Sequence, residues 1–223
     1  MMKYIQFVKE QMALIADRDP AMRSKWEVFL YPSFRAMLAY RRSHRLYLKG
    51  KYLRARRISQ RAAHKTGIEI HPGAEIGEGF FVDHGHGVVI GETTIIGKNV
   101  TLYQGVTLGG TGKEKGKRHP TIGDNVMISA GAKILGSFTI GENSKIGAGS
   151  VVLKEVPPNS TVVGVPGHVV KRNNIRIPYE ELNQIDLPDP VQNEMDQIRE
   201  RLDALKKAEE NRKSPDQEIW SEE

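Results

Sequence analysis

The chain has 223 residues, 33 Lys and Arg against 27 Asp and Glu, a net charge of +6 and no cysteine. That length suits one domain of ordinary size with helical additions. The missing cysteines exclude a disulfide scaffold, a thiolate-ligated metal centre and a thiol nucleophile.

The front, residues 1–66, reads as an N-terminal helical domain. Of the 22 glycines, all but Gly50 lie between Gly67 and Gly167, and glycine costs a helix about 1 kcal/mol relative to alanine. Trp26, Phe29, Leu30 and Phe34, then Met37, Leu38 and Leu46, read as helical core faces. Residues 28–68 carry eleven Lys and Arg and no acid. A run of this kind is either a nucleic-acid patch or a solvated helix face that attracts anions; the second reading is adopted, and no nucleic-acid partner is expected. No apolar run approaches the ~20 residues of a membrane span, and no stretch at Met1 has the form of a signal peptide, so a cytoplasmic protein is expected.

The middle, residues 67–172, is a repeat. Aliphatic residues recur every six positions, as Ile70, Ile76, Val82, then Ile90, Ile96, Leu102, Leu108, then Ile122, Ile128, Ile134, Ile140, Ile146, Val152. Glycine often follows, and small or short residues precede at Ala74, Thr94, Val100, Val106, Val126, Ala132 and Ser144. Short strands joined by turns, each pointing one aliphatic side chain inward, stack into a parallel β-helix. The register breaks twice: Val82 to Ile90 is eight residues, two more than six, and Leu108 to Ile122 is fourteen, two more than twelve. The second break runs from Gly109 to Pro120 with little aliphatic content, so it reads as a loop leaving the coil. Interruptions of a regular scaffold are where function concentrates.

Both interruptions contain histidine. The first supplies Asp83-His84-Gly85-His86, and the second Arg118-His119. Histidine is the usual general base near neutral pH, and a carboxylate on its second nitrogen fixes the tautomer. Asp83 adjoins His84 in sequence, but strand neighbours point to opposite faces. Glu69, fifteen residues earlier, is near one coil length and close enough to stack beside His84. Two other readings stand. His71, His84, His86 and His119 are a possible zinc set, and His71, His86 and His168 read equally well as turn caps. Gly109–Lys113 looks like a phosphate-binding loop but lacks its spacing and terminal Lys-Ser/Thr. Lys113, Lys115 and Lys117 beside it are placed to meet an anionic ligand.

The tail, residues 173–223, carries fourteen acids against seven bases. Val191, Met195, Ile198, Leu202 and Leu205 alternate steps of four and three, the spacing of a coiled-coil seam over about 190–210. The alternative is one amphipathic helix packed on its own subunit.

From about Asp17 to Arg172 the chain resembles the serine O-acetyltransferases, a family of hexapeptide-repeat acyltransferases. The segments that carry the resemblance are Arg18-Asp19-Pro20-Ala21, Gly67-Ile68-Glu69-Ile70-His71-Pro72, Asp83-His84, Val106 to Lys113, Arg118-His119-Pro120 and Gly164-Val165-Pro166. The resemblance implies a mainly β fold: a left-handed parallel β-helix with an N-terminal α-helical domain and a C-terminal helix. It implies a homotrimer with active sites between subunits, transfer of acetyl from acetyl-CoA to the hydroxyl of L-serine to give O-acetyl-L-serine for cysteine biosynthesis, feedback inhibition by L-cysteine, and no metal. His84 matches the general base, and Glu69 stands where the family has a shorter, His-orienting Asp. Asp19, Asp83, Arg118 and His119 match positions that hold the amino acid. Gly110, Thr111, Ala130, Lys145 and Ala148 match positions lining the CoA channel. Direct attack is expected, because no protein nucleophile is evident. The front is short beside that of the family's long bacterial members, whose helices join two trimers, so a lone trimer is expected over a hexamer. Many members end in an Ile that enters cysteine synthase. This chain ends Ile219-Trp220-Ser221-Glu222-Glu223, so the resemblance does not carry that binding mode over. The alternatives kept are the same fold with another hydroxyl acceptor, a zinc-dependent hydratase on that fold, and a non-catalytic scaffold.

Overall fold

The repeat segment winds into five coils, and its aliphatic residues form the axis of the protein. The structure is a computed structural model that describes residues 4–112, 115–176, 201, 202 and 205. Three helices precede the coils: α1 (Tyr4–Arg18), α2 (Pro32–Leu48) and α3 (Tyr52–Thr66), with a 3-10 turn at Lys25–Phe29. Spacings of three and four put Phe7, Gln11 and Ile15 on the buried side of α1, and Phe34, Met37 and Tyr40 on that of α2. Pro32 opens α2, where its missing N–H costs nothing. Gly67 closes α3 in the left-handed region, its N–H donating to Ala63 O at 2.8 Å. Among the described residues, no helix is long and apolar enough to cross a membrane.

Each coil has three sides. The first sheet stacks β1 (Ile68–Ile70), β4 (Val88–Ile90), β7 (Thr107–Gly109), β10 (Lys133–Leu135) and β13 (Val151–Val152). The second stacks β2 (Glu75–Ile76), β5 (Ile95–Ile96), β8 (Thr121–Ile122) and β11 (Thr139–Ile140). The third stacks β3 (Phe81–Val82), β6 (Thr101–Leu102), β9 (Met127–Ile128), β12 (Lys145–Ile146) and β14 (Ser160–Val163), with β15 (His168–Arg172) and β16 (Ile175–Arg176) added antiparallel. All pairings within the coils are parallel and in register, so Ile90, Leu108, Ile134 and Val152 stack on one side. Leu102, Ile128 and Ile146 stack on another. The apolar six-residue period therefore becomes three buried columns.

The corner between the second and third sheets is held by a polar column. Asn99, Asn125, Asn143 and Asn159 all have φ between 55° and 57°, a region Asn tolerates better than most residues. Their side-chain amides bond one to the next at 3.3, 3.1 and 3.1 Å.

Two expectations are corrected. Trp26, Phe29 and Leu30 are exposed at 75%, 40% and 74% rather than core, because the 3-10 turn and its C-cap bury only Val28. The second register break is larger than a two-residue excess over two steps. Leu108 and Ile122 lie on successive sides of one coil, so the loop adds eight residues to a single six-residue step. The chain divides into two units, Met1–Leu182 and Asn183–Glu223. Arg201, Leu202 and Leu205 in the second are helical; the rest of the expected seam over 190–210 lies outside the described residues, as does Lys113.

Ile134 is fully buried in the central stack. Ile134→Ala is expected to lower unfolding stability by about 2–5 kcal/mol, the cost of an aliphatic cavity in a tight core, measured by urea denaturation.

Candidate active site

The residues singled out in the sequence gather at two corners of the coil, on either side of the first sheet. The corner between β3 and β4 carries Asp83 and His84. This turn is two residues longer than its counterparts below, and the excess puts His84 at φ 57°. A non-glycine residue held there signals a conformation kept for its side chain. The His84 side chain is 76% exposed, and its Nε2 stands 4.0 Å from Asp83 Oδ1. Asp19, in the loop after α1, belongs to the same corner. Its Oδ1 accepts from the Ala21 N–H at 2.8 Å, and its Oδ2 from the Tyr31 hydroxyl at 2.5 Å. The Tyr31 bond is the chief reason the Asp19 carboxyl is held below its usual range. Burial, then Asp19, pushes the Tyr31 phenol up to about 12. Arg18 next to it bonds Thr101 Oγ1 and lies 5.8 Å over the Phe81 ring.

The corner between the first and second sheets carries Arg118 and His119. Arg118 Nη2 is 2.5 Å from Glu92 Oε2, and the Tyr47 hydroxyl donates to Glu92 Oε1 at 2.8 Å. Arg118, then Tyr47, holds the Glu92 carboxyl below its usual range. His119 is held by Thr93. The Thr93 backbone N–H donates to His119 Nδ1 at 3.2 Å, and the Thr93 hydroxyl lies 2.9 Å from the same atom. That hydroxyl also accepts from the N–H groups of Arg118 and His119 at 3.0 and 3.1 Å, so its own proton goes to Nδ1. Two donors on Nδ1 leave the ring proton on Nε2, the neutral donor form. Burial, then the Arg118 charge, moves the His119 pKa down in the same direction. The ring is packed against Gly91, where an added Cβ would come within 2.0 Å of Cδ2.

Glu69 does not meet His84 here. It sits mid-strand on β1, where its Oε1 accepts from Gln60 Nε2 at 3.2 Å and lies 3.5 Å from Arg56 Nη2. The basic face of α3 takes the carboxylate first. The backbone nonetheless brings β1 against the His84 corner, with the Gly87 N–H donating to Gly67 O at 2.9 Å.

The residues matched to CoA also divide. Ala130 and Ala148 lie below His84 on its own corner, beside a column of glycines at 87, 105, 131 and 149, all at positive φ. An added Cβ at Gly87 or Gly105 would touch only the next glycine, at 3.5 and 3.4 Å. The glycine column thus leaves a strip of bare backbone down this corner, with Lys133 Nζ on the Gly105 carbonyl at 2.5 Å beside it. Gly110 and Thr111 stand at the other corner, Gly110 packed on the Arg118 carbonyl. Lys145 is exposed on the third sheet, lining a polar hollow with Asn143, Asn159 and Lys171.

Among the described residues, no three His, Asp or Glu side chains converge on a common point. His84 and His119 lie on different corners. Within the protomer, the four histidines of the hydratase reading are not assembled. Nor does any hydrogen bond or ion pair among the described residues join the two groups. The sequence reading missed Glu92, Thr93, Tyr31 and Tyr47. One signal was available: Glu92 precedes Arg118, and Thr93 precedes His119, by 26 residues, the length of one coil plus the eight-residue loop.

The geometry predicts that His119 titrates below the ordinary histidine range, with its proton on Nε2. Thr93→Val removes one donor to the neutral ring and is expected to raise that pKa toward normal. Imidazole 15N chemical shifts against pH check both.

The chain was compared with known proteins. The bacterial transferase hexapeptide family (six repeats) matches residues 119–154. The serine acetyltransferase of Bacillus subtilis (strain 168) is 56% identical over 211 residues, 94% of this chain and 97% of that one. The solved serine acetyltransferase of Neisseria gonorrhoeae in complex with serine aligns at TM-score 0.70 and 48% identity, covering 73% of this chain and 67% of the other. That of Brucella abortus strain S19 in complex with coenzyme A aligns at 0.70 and 44%, covering 73% and 66%. A serine acetyltransferase in complex with cysteine aligns at 0.70 and 42%, covering 74% and 68%. With that identity over nearly the whole of both chains, and with the coil and corners described above, the chain belongs to the serine acetyltransferase family.

Proposed function

We propose that the protein transfers the acetyl group of acetyl-CoA to the hydroxyl of L-serine, giving O-acetyl-L-serine and CoA, at a site built by two subunits of a homotrimer. The observation that carries this reading is the division of the site. One corner holds a histidine beside two carboxylates, and the other an arginine beside a neutral histidine. An amino acid needs both at once: a carboxylate for its ammonium and a guanidinium for its carboxylate. The two corners flank one side of the coil, so neither closes a site alone. A ring of three copies brings the first corner of one subunit to the second corner of the next, a head-to-tail contact that closes.

In that site Asp19 and Asp83 take the ammonium, and Arg118 the carboxylate. His84 removes the hydroxyl proton as the serine oxygen attacks the thioester carbonyl. The tetrahedral intermediate then collapses, the C–S bond breaks, and the CoA thiolate recovers the proton from His84. The neutral His119 offers its Nε2–H to the amino acid or to the developing oxyanion. Glu69 orients the imidazole after its side chain leaves Arg56. Exposed ion pairs of that kind contribute only ~0–1 kcal/mol, so little opposes the move. The glycine strip below His84 gives the pantetheine arm a path along Ala130 and Ala148. Gly110 and Thr111 reach the same cofactor from the neighbouring subunit, and Lys145 meets its phosphates. L-cysteine carries the same ammonium and carboxylate, so it competes with serine.

Thiol release from acetyl-CoA is expected with L-serine and not with homoserine or sugars. His84→Ala is expected to lower kcat by about 10²–10⁴, the range for a lost general base. Subunit mixing tests the shared site. His84→Ala and Arg118→Ala are each expected to be nearly inactive. Unfolded together in equal amounts and refolded, they are expected to regain about a quarter of the wild-type rate, since every mixed trimer holds one intact pair of corners out of three. No recovery would place both corners in one subunit's site.

A further inference from the structure

We propose that Tyr31 and Tyr47, at the two ends of α2, are positioning residues that aim the two charges by which the site reads an amino acid. Tyr31 fixes the Asp19 carboxylate for the ammonium. Tyr47, through Glu92, fixes the Arg118 guanidinium for the carboxylate. The inference rests on the serine site proposed above.

Asp19 lies outside any helix, and an exposed aspartate in a loop is ordinarily free to turn about its terminal bond. Here both oxygens are taken, one by the Ala21 N–H and one by the Tyr31 hydroxyl. Tyr31 is the N-cap residue of α2 and makes no side-chain cap bond. Its phenol serves Asp19 instead. Glu92 is held the same way: Tyr47 occupies Oε1 at 2.8 Å and Arg118 occupies Oε2 at 2.5 Å. The Tyr47 ring is itself wedged edge-on between Tyr52 and His71, at centroid distances of 5.0 and 5.8 Å. A guanidinium carries five N–H donors in a planar fork. With Nη2 on Glu92 and Nη1 reaching the Gly116 carbonyl at 3.5 Å, Arg118 is held in a fixed plane, and its remaining donors face a second carboxylate.

The two tyrosines are sixteen residues apart, about 24 Å along a helix rising ~1.5 Å per residue. The charges of a single amino acid lie within a few ångströms of each other. One α2 therefore braces halves of two different sites, the carboxylate half of one and the guanidinium half of the next.

The test uses acceptors that each lack one charge: 3-hydroxypropanoate has no ammonium, and ethanolamine has no carboxylate. The readout is kcat/KM, or the inhibition constant against serine where turnover is slow. Tyr31→Phe is expected to narrow the preference for serine over 3-hydroxypropanoate by about tenfold, the scale of one charge-assisted hydrogen bond, and to leave serine over ethanolamine unchanged. Tyr47→Phe is expected to do the reverse. Glu92→Gln should match it, and the double variant should be no worse than Glu92→Gln alone. If the variants slow all three acceptors equally, or leave every ratio unchanged while the wild type acetylates serine, the positioning role is overturned and the proposed function stands. If the wild type acetylates no serine, the proposed function falls and this inference with it.

Discussion

The structure depends on the vertical registration of successive coils. Each strand is two to five residues long, far too short to be stable alone. It persists because its backbone pairs with the coil above and the coil below, and because its one inward residue lies on the inward residue of each neighbour. The columns through Leu108, Ile134 and Val152, and through Leu102, Ile128 and Ile146, are buried to 2% exposure or less. Any residue added to a coil must therefore leave it at a corner, since an addition within a strand would turn every later side chain to the wrong face.

That constraint explains where the chemistry sits. The two additions both fall at corners, two residues at the His84 turn and eight in the loop before His119. Each places polar side chains at an edge of the prism without disturbing the columns. The cost is local. His84 takes a left-handed backbone conformation that the coils below show at this corner only at glycine, and the loop returns through contacts with Thr93 and Glu92 in the coil above.

The helical front completes the arrangement in an unexpected way. Its basic run first suggests a polyanion surface. In the structure one of those cations, Arg56, takes Glu69, and the tyrosines of α2 bond the carboxylates of Asp19 and Glu92. The front contributes to the site through hydroxyl groups more than through its net charge. The same cations explain why Glu69 stands away from His84.

The coil was legible in the sequence because its physical cause is periodic. An aliphatic residue every six positions is visible in one dimension, and so are the points where the period fails. His84, Asp83, Arg118 and His119 were found as residues inside those failures. The size of the second failure was misjudged, because only the stacking shows that Leu108 and Ile122 belong to consecutive sides. Trp26, Phe29 and Leu30 were misread because apolar composition does not reveal that a short 3-10 turn has a single inward position. Glu92, Thr93, Tyr31 and Tyr47 have no motif of their own. Their roles arise from contacts across 12 to 45 residues of chain, and such contacts exist only once the coils are stacked and α2 is laid across them. Periodicity by itself determined the scaffold and its interruptions, since a repeat needs only local spacing. Tertiary structure alone decided that the interruptions stand at two separate corners and which side chains hold them there, since hydrogen bonding between distant residues is set by distance in space.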